Sequence, residues 1–373
     1  MAAVRRVLIV GGGIGGLTLA VALRGRGILT EVVELEARVL GVGITLTGTA
    51  LRALDMAKLA TGCVERGFGF DFFEISDGAG KPIAKNPLAA TGAGFPAAVG
   101  MPRPVLADFL TAAANDLGAS IRHGLTVDTM EQDDDGVDAR FTDGSRGRYD
   151  LVVGADGVFS SIRKRIFGNA YEPIYAGQGV FRFTTERIPS INNIHVFVGP
   201  KLKAGFLPLG DDSMYLFTTL SYPTNPRIDE SKSHLIFQEA LKDFTAPVVV
   251  EVRKRMRSSE NVIWRPFEIT LVPPPWYQRR VILIGDAAHS MTPHLTAGGA
   301  MAIEDAVVLA DTLSRDEPLA SLLHAFMQRR FERVRAVCEI SLAICKLEQA
   351  DEPDIDRIYA LTKKGYTLLG ESF

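Results

Sequence analysis

The feature that most constrains this chain is a glycine loop near its start, Gly11-x-Gly13-x-x-Gly16. It lies between a continuous apolar run, Val4 to Val10, and an Ala- and Leu-rich stretch, Leu17 to Arg26. The pattern predicts a strand, a tight turn and a helix, with a second strand over Glu31 to Glu34 after Gly27. A βαβ unit of this kind opens a parallel sheet buried on both faces. Glycine at the three positions permits the turn, the close approach of backbone to a pyrophosphate, and tight packing of helix on strand. The amides of the loop, Ile14 and Gly15 included, then favour phosphate at the helix start. Glu34 follows Gly11 by 23 positions, near the offset of about 20 at which an acidic side chain bonds ribose hydroxyls. An ordinary strand–helix turn with a surface glutamate is the plainer alternative.

Length and composition narrow the setting. At 373 residues the chain exceeds one hydrophobic core, so two packed domains sharing a cleft are expected. With 41 basic against 44 acidic residues, a net charge of −3, no field recruits nucleic acid or an anionic membrane, and a small molecule is the expected partner. Cys63, Cys338 and Cys345 form no CxxC pair, which fits a reducing, cytoplasmic compartment and argues against a structural metal site. Arg5 and Arg6 precede an apolar run, but the glycines break it, and no apolar stretch reaches the roughly 20 residues that span a bilayer. A soluble monomer or homodimer without membrane insertion is expected.

The remaining patterns divide the chain. From Phe70 to Pro96, short β-like runs separated by Asp77-Gly78, Gly80, Pro82, Pro87 and Gly92 suggest an excursion into another layer. Val105 to Leu117 has helical spacing, and Leu125 to Val153 reads as a three-strand meander with turns at Asp135-Gly136 and Asp143-Gly144. Strands at Gly179–Thr184, Ile194–Val198, Gly205–Leu209 and Met214–Leu220, with a helix near Ser233–Phe244, imply a second, largely antiparallel domain. After Pro273 to Pro275, Val281 to Ile284 is again a buried-type strand, and Leu319 to Ala350 is helical by period. The expected fold is therefore α/β: a Rossmann-type nucleotide-binding domain (1–69, 97–172 and 270–318), a mostly antiparallel substrate domain (70–96 and 173–269), and a C-terminal helical region (319–373).

Two further motifs repeat the strand-to-turn design. Asp150-Leu-Val-Val-Gly-Ala-Asp-Gly157 places Asp156 and Gly157 after a buried strand, with Ser160 and Arg163 following at helical spacing. Val281-Ile-Leu-Ile-Gly-Asp-Ala-Ala-His289 places Gly285 and Asp286 likewise, where a carboxylate can accept from a polyhydroxylated chain. Taken singly, the first is also readable as a strand ending in an Asp-Gly turn with a capping serine.

In this order and at these separations, the three motifs resemble those of the flavoprotein monooxygenases with the para-hydroxybenzoate hydroxylase fold. The resemblance covers nearly the whole chain. It implies FAD, with its ADP half on Gly11, Gly13, Gly16 and Glu34, its ribityl chain on Asp286, and Asp156 and Gly157 in the segment associated with FAD and NAD(P)H. It also implies Arg103 against the ribityl-phosphate region, and Arg38, Gly43 and Ile44 beside the isoalloxazine. Pro293-His-Leu-Thr-Ala-Gly-Gly299 is similar to the loop of salicylate-hydroxylase-like members, with Thr296 where glycine is usual. Amides near Gly298 and Gly299 would then face the flavin edge that gains negative charge on reduction.

The activity implied is hydroxylation of a small activated aromatic ring by O2 and NADH or NADPH, through a flavin hydroperoxide. His294 is the candidate base, with loop packing as its alternative; His289 reads as structural. Arg182 is a candidate partner for a substrate carboxylate, or else a solvent-facing strand residue. Phe206, Pro208, Tyr215 and Phe217 are candidates for an aromatic pocket, or else core. Epoxidation or oxidative decarboxylation on the same fold, an NAD-dependent dehydrogenase, and a non-catalytic flavin sensor are the rival readings. The Trp-x-Trp-x-Ile-Pro signature of flavin halogenases is missing, as is the cysteine pair of disulfide reductases.

Overall fold

The structure is a computed structural model that describes residues 4–36, 41–89, 94–200 and 202–373. Its first layer is a six-stranded sheet in the order Tyr277–Gln278, Val281–Leu283, Leu151–Gly154, Arg6–Val10, Leu29–Glu34, Ser120–His123. All neighbours run parallel except the two-residue edge strand. Val7, Leu8, Ile9, Leu151, Val152 and Val153 are fully buried, as unbroken apolar runs require when helices cover both faces. The helix Ile14–Arg24 packs against the helices Arg103–Asp116 and Gly298–Leu313.

The expected meander differs in its last part. Val127–Gln132, Val137–Phe141 and Arg146–Tyr149 form their own three-stranded antiparallel sheet, whereas Leu151–Gly154 leaves it to pair with Arg6–Val10. The cause is in the side chains: Val137 to Phe141 alternates buried with exposed, but Leu151 to Gly154 is buried throughout. An unalternating strand belongs in the centre of a doubly covered sheet.

A seven-stranded sheet forms the second layer, in the order Val262–Ile269, Ile174–Glu186, Ser213–Ser221, Lys203–Pro208, Ile194–Val198, Phe72–Asp77, Pro82–Pro87. It is antiparallel apart from the junction of Ile194–Val198 with Phe72–Asp77. Alternation gives it two faces. Phe181, Phe183, Met214 and Leu216 pack against Phe237 of the helix Ser233–Ala240 and Val249 and Val252 of the helix Pro247–Arg255. Val180, Arg182, Tyr215 and Phe217, one position out of phase, turn toward a large cavity between the layers.

Two elements tie the layers together. The small sheet Gly43–Thr47, Ala98–Pro102, Phe68–Phe70 lies at their junction, where a Cβ on Gly43 would overlap Leu209 and one on Gly100 would overlap the Pro208 carbonyl. The 30-residue helix Leu319–Glu348 starts on the first layer and ends on the second, where Lys346 and Gln349 donate to the Ala176 carbonyl at 2.9 and 3.0 Å. A last helix, Ile355–Gly370, packs on it and on the turn Pro293–Leu295. Among the described residues, no helix is long and apolar enough to cross a membrane.

Candidate active site

The glycine loop works by two kinds of contact. Gly11 has φ near +112°, and a Cβ there would overlap Ala155; a Cβ on Gly16 would overlap the Gly11 carbonyl. These two glycines therefore sit behind the cavity and let strand, loop and helix close up. Gly12, Gly13, Ile14 and Gly15 line the cavity itself, and nothing stands within 4 Å of where a Cβ on Gly13 would be. Glu34 also lines it, accepting from the Gly12 amide at 2.6 Å and the Glu36 amide at 2.8 Å.

The second and third motifs meet this loop. Ala155 and Gly157 reach the cavity, but Asp156 does not line it: its carboxylate accepts from the Ser160 and Ser161 hydroxyls and from the amides of Ser161 and Ile162 at 2.7 and 3.1 Å. It caps the helix Ser161–Phe167, a role also served by Ser160, which accepts from the Arg163 amide. Arg163 is buried and donates to the carbonyls of Ala287 and Val158, binding the second motif to the third.

Gly285 adopts φ near +58° and turns the strand Val281–Leu283 into the short helix Asp286–His289. Asp286 opens its side chain to the cavity. Poor solvation deep in the chain pushes its carboxyl up, opposed by His289 and Arg103. Pro293, Gly298 and Gly299 line the same wall, and Ala302, one turn into the helix Gly298–Leu313, packs beside both Gly15 and Gly285. Thr296 takes the left-handed conformation, φ near +53°, and the loop still delivers Gly298 and Gly299 to the cavity.

Behind this wall lies a buried ion network that sequence reasoning did not anticipate. Asp305 accepts from the Gly285 amide at 2.9 Å, pairs with His289 at 2.6 Å, and receives Arg330 Nε at 2.8 Å. Glu304 binds Arg330, Arg333 and the Thr49 hydroxyl. His289 is thus structural, holding the turn that carries Asp286.

The far end of the cavity is cationic and aromatic. Arg103 donates to the Gly43 carbonyl at 3.3 Å; burial, then the like charge of Arg182, lowers its guanidinium from the ordinary value, against Asp286. Arg182 lines the cavity with its guanidinium 6.0 Å from the Tyr215 ring centre and makes no ion pair among the described residues. Gly43, Ile44, Tyr215 and Phe217 line the same space. Phe206 and Pro208 do not: both are buried, Phe206 in the core behind the sheet, and of their strand Lys203 is the residue that lines the cavity. Arg38 lies outside the described residues.

His294 is on the cavity wall with a side chain only 2% exposed. Glu348, from the end of the long helix, approaches its Nε2 to 3.4 Å, and Lys203 binds the other oxygen of Glu348 at 2.6 Å. Neither Lys203 nor Glu348 was singled out from sequence. One is a lone lysine beginning a strand and the other an acid in a charged helix, and nothing local marks either.

The cavity is about 1790 Å³, beyond the roughly 300–1,000 Å³ of a single small-ligand pocket. It runs from Glu34, Ile121 and His123 to Tyr215, His294 and Glu348. The amides of Gly13 to Gly15 at one end, the Asp286 carboxylate, without a hydrogen-bond partner among the described residues, midway, and glycines at a helix start beyond it fit an extended FAD with a small ring at its end.

Comparison with known proteins agrees with this geometry. A family model described as an FAD binding domain matches residues 5–341. The chain is 30% identical over 371 residues to the putative FAD-dependent monooxygenase YetM of Bacillus subtilis (strain 168), covering 97% of this chain and all of that one. It is 32% identical over 353 residues to the 3-amino-4-hydroxybenzoate 2-monooxygenase PtmB3 of Streptomyces platensis, covering 89% of this chain and 85% of the other. The crystal structure of Klebsiella pneumoniae HpxO complexed with FAD and uric acid superposes with a TM-score of 0.83 at 25% identity, covering 98% of this chain and 93% of that one.

Proposed function

This chain belongs to the FAD-binding domain family and is an FAD-dependent monooxygenase acting on aromatic substrates. From that premise we propose that its substrate is a small, electron-rich and anionic ring, and that its reducing equivalents come from NADH or NADPH. The observation that carries the reading is the pair Arg103 and Arg182 at the end of the cavity, where Arg182 has no carboxylate partner among the described residues. A partly buried guanidinium without an anion is costly, and a substrate carboxylate or ionised ring oxygen relieves it.

Bound FAD supplies the oxygen-activating redox chemistry that side chains lack. The residues supply position. Gly13, Ile14 and Gly15 would offer amides to the pyrophosphate, Glu34 would take ribose hydroxyls while holding the Gly12 amide, and Asp286 would take a ribityl hydroxyl. Gly43 and Ile44 would flank the ring system, and Pro293, Gly298 and Gly299 would meet its edge. The amides opening a 16-residue helix would stabilise negative charge there. Asp156 and Gly157 hold the neighbouring turn. Arg182 orients the substrate, Tyr215 and Phe217 form an apolar, water-poor wall, and His294 receives the ring hydroxyl proton, leaving the more reactive phenolate. The parallel sheet serves as the FAD domain and the seven-stranded sheet as the substrate domain. Three free, buried cysteines support a reducing, cytoplasmic setting.

The test is a yellow preparation carrying one FAD per chain, assayed for NADH and NADPH oxidation with product analysis. Hydroxy- and aminobenzoates should accelerate reductant consumption and appear hydroxylated, whereas neutral phenols lag. A flavoprotein stimulated only by aliphatic compounds would refute the reading.

A further inference from the structure

Glu348 sits where three separate elements meet. It ends the helix Leu319–Glu348, Lys203 opens the strand Lys203–Pro208, and His294 occupies the turn Pro293–Leu295. All three line the cavity. Lys203 Nζ is 2.6 Å from one oxygen of Glu348 and His294 Nε2 is 3.4 Å from the other, too long for a formed hydrogen bond. Both ring nitrogens of His294 are buried without a hydrogen-bond partner among the described residues. Buried polar atoms in that condition are rare and mark a place where a partner arrives.

We propose that Glu348 is a positioning residue for the hydroxylation: it fixes His294 as an imidazole protonated on Nε2, so that Nδ1 is the nitrogen that takes the substrate's ring proton, and Lys203 keeps the Glu348 carboxylate ionised. This inference rests on the proposed role of His294 as base. An anionic carboxylate facing Nε2 requires a hydrogen there, which leaves the lone pair on Nδ1. In the step itself the substrate O–H bond breaks, its electron pair stays on oxygen, and the proton moves to Nδ1. The imidazolium that forms keeps its Nε2 proton and donates it as a hydrogen bond to Glu348, which stays ionised.

Geometry and electrostatics agree. Burial lowers the His294 pKa and Glu348 raises it in part, while Lys203 acts against Glu348. The Glu348 carboxyl is itself held down at about 2, with burial opposed by Lys203 and His294. Other groups on the elements around the turn do not compete for the imidazole. Tyr366 of the last helix is engaged with Thr296, Phe267 presents a ring edge at 5.8 Å, and Cys345 and Lys346 bond to Gln178 and Ala176.

The experiment uses the FAD-loaded enzyme labelled with ¹⁵N-histidine, with His294→Asn to assign the signal. Wild type should show His294 in the Nε2-protonated tautomer. Glu348→Gln should mix the tautomers and lower the His294 pKa by about one unit; Lys203→Met should raise it. In turnover, Glu348→Gln should cut kcat about tenfold or more on a hydroxybenzoate that is protonated at the assay pH. It should spare a substituted one already ionised in solution, leave KM little changed, and move the acid limb of kcat/KM to lower pH. An unmoved His294 titration in both variants, or an equal loss of kcat on the two substrates, would overturn the proposal. If no aromatic compound turns over, the hydroxylase reading fails, yet the two opposite pKa shifts still decide whether Glu348 governs His294.

Discussion

The two ends of the cavity are built by different means. Around Gly13 and Glu34, contact is made mainly by backbone: the open amides of Gly13 to Gly15, a glycine at positive φ, and glycines packed so closely that a methyl would not fit. Around Arg182, His294 and Glu348, contact is made by side chains from a strand, a turn and a helix that lie far apart in the chain. A backbone site needs glycine at fixed spacing next to one strand and one helix, so it leaves a local pattern. A side-chain site needs only that the fold bring the right atoms together. The first kind suits a cofactor shared by a family, and the second suits a substrate that differs from member to member.

The sharpest way to break this contrast is to attack what both ends share. Arg330 is fully buried between Glu304 and Asp305, and Asp305 in turn holds the Gly285 amide. Removing one partner of a buried ion pair leaves uncompensated charge at a cost of about 3–5 kcal/mol. Arg330→Met should therefore lower urea stability by that order and weaken FAD retention together. Loss of neither would show that the network is not the common support.

This division also explains what was legible in the sequence. Gly11, Gly13, Gly16, Glu34 and the Gly285-Asp286 turn announced a dinucleotide site because each is tied to a strand end by spacing. The second domain was legible as short β-like runs, Gly179–Thr184 and Met214–Leu220 among them, but that Arg182, Tyr215 and Phe217 share the face toward the cavity is visible only in the structure. Phe206 and Pro208 fell on the wrong phase of their strand because period-2 reasoning needs the register of a neighbour, which sequence does not give. Asp156 illustrates the same limit: its spacing suggests a ligand, while its hydrogen bonds cap a helix. Lys203, Glu348 and the Arg330 network depend on long-range contacts and had no local mark.

At the side-chain end, acid should dissolve what neutral pH holds. The folded pKa of Glu348, about 2, lies below its ordinary 4.5. Its stabilisation is therefore present above pH 4.5 and is lost as pH falls from there toward 2, a swing of about 3 kcal/mol. Urea unfolding at pH 6 and pH 3 should show a smaller acid loss in Glu348→Gln than in wild type. Equal losses would remove the Lys203–Glu348 pair from the account.

At the backbone end, Gly16→Ala places a methyl against the Gly11 carbonyl. Overpacking of that kind costs about 2–3 kcal/mol, so FAD affinity measured by flavin fluorescence should fall by about 30- to 100-fold, with substrate preference unchanged. A yellow, fully loaded variant would break the backbone half of the comparison.

The smallest expected effect separates binding from chemistry. Arg182→Gln removes a charge-assisted contact worth about 2 kcal/mol. KM for a hydroxybenzoate should rise about 30-fold, while FAD content stays the same and the penalty for the corresponding uncharged phenol is slight. Equal losses on both substrates would show that Arg182 supports the sheet and does not read the anion.

The most direct measurement is a crystal structure of the FAD-loaded enzyme with a hydroxybenzoate bound. The account predicts pyrophosphate on the amides of Gly13 to Gly15, the ribityl chain at Asp286, and the ring carboxylate within hydrogen-bond distance of Arg182 with its hydroxyl toward His294. A ring held away from Arg182 and His294, or a dinucleotide lying outside the groove between Glu34 and Asp286, would contradict it.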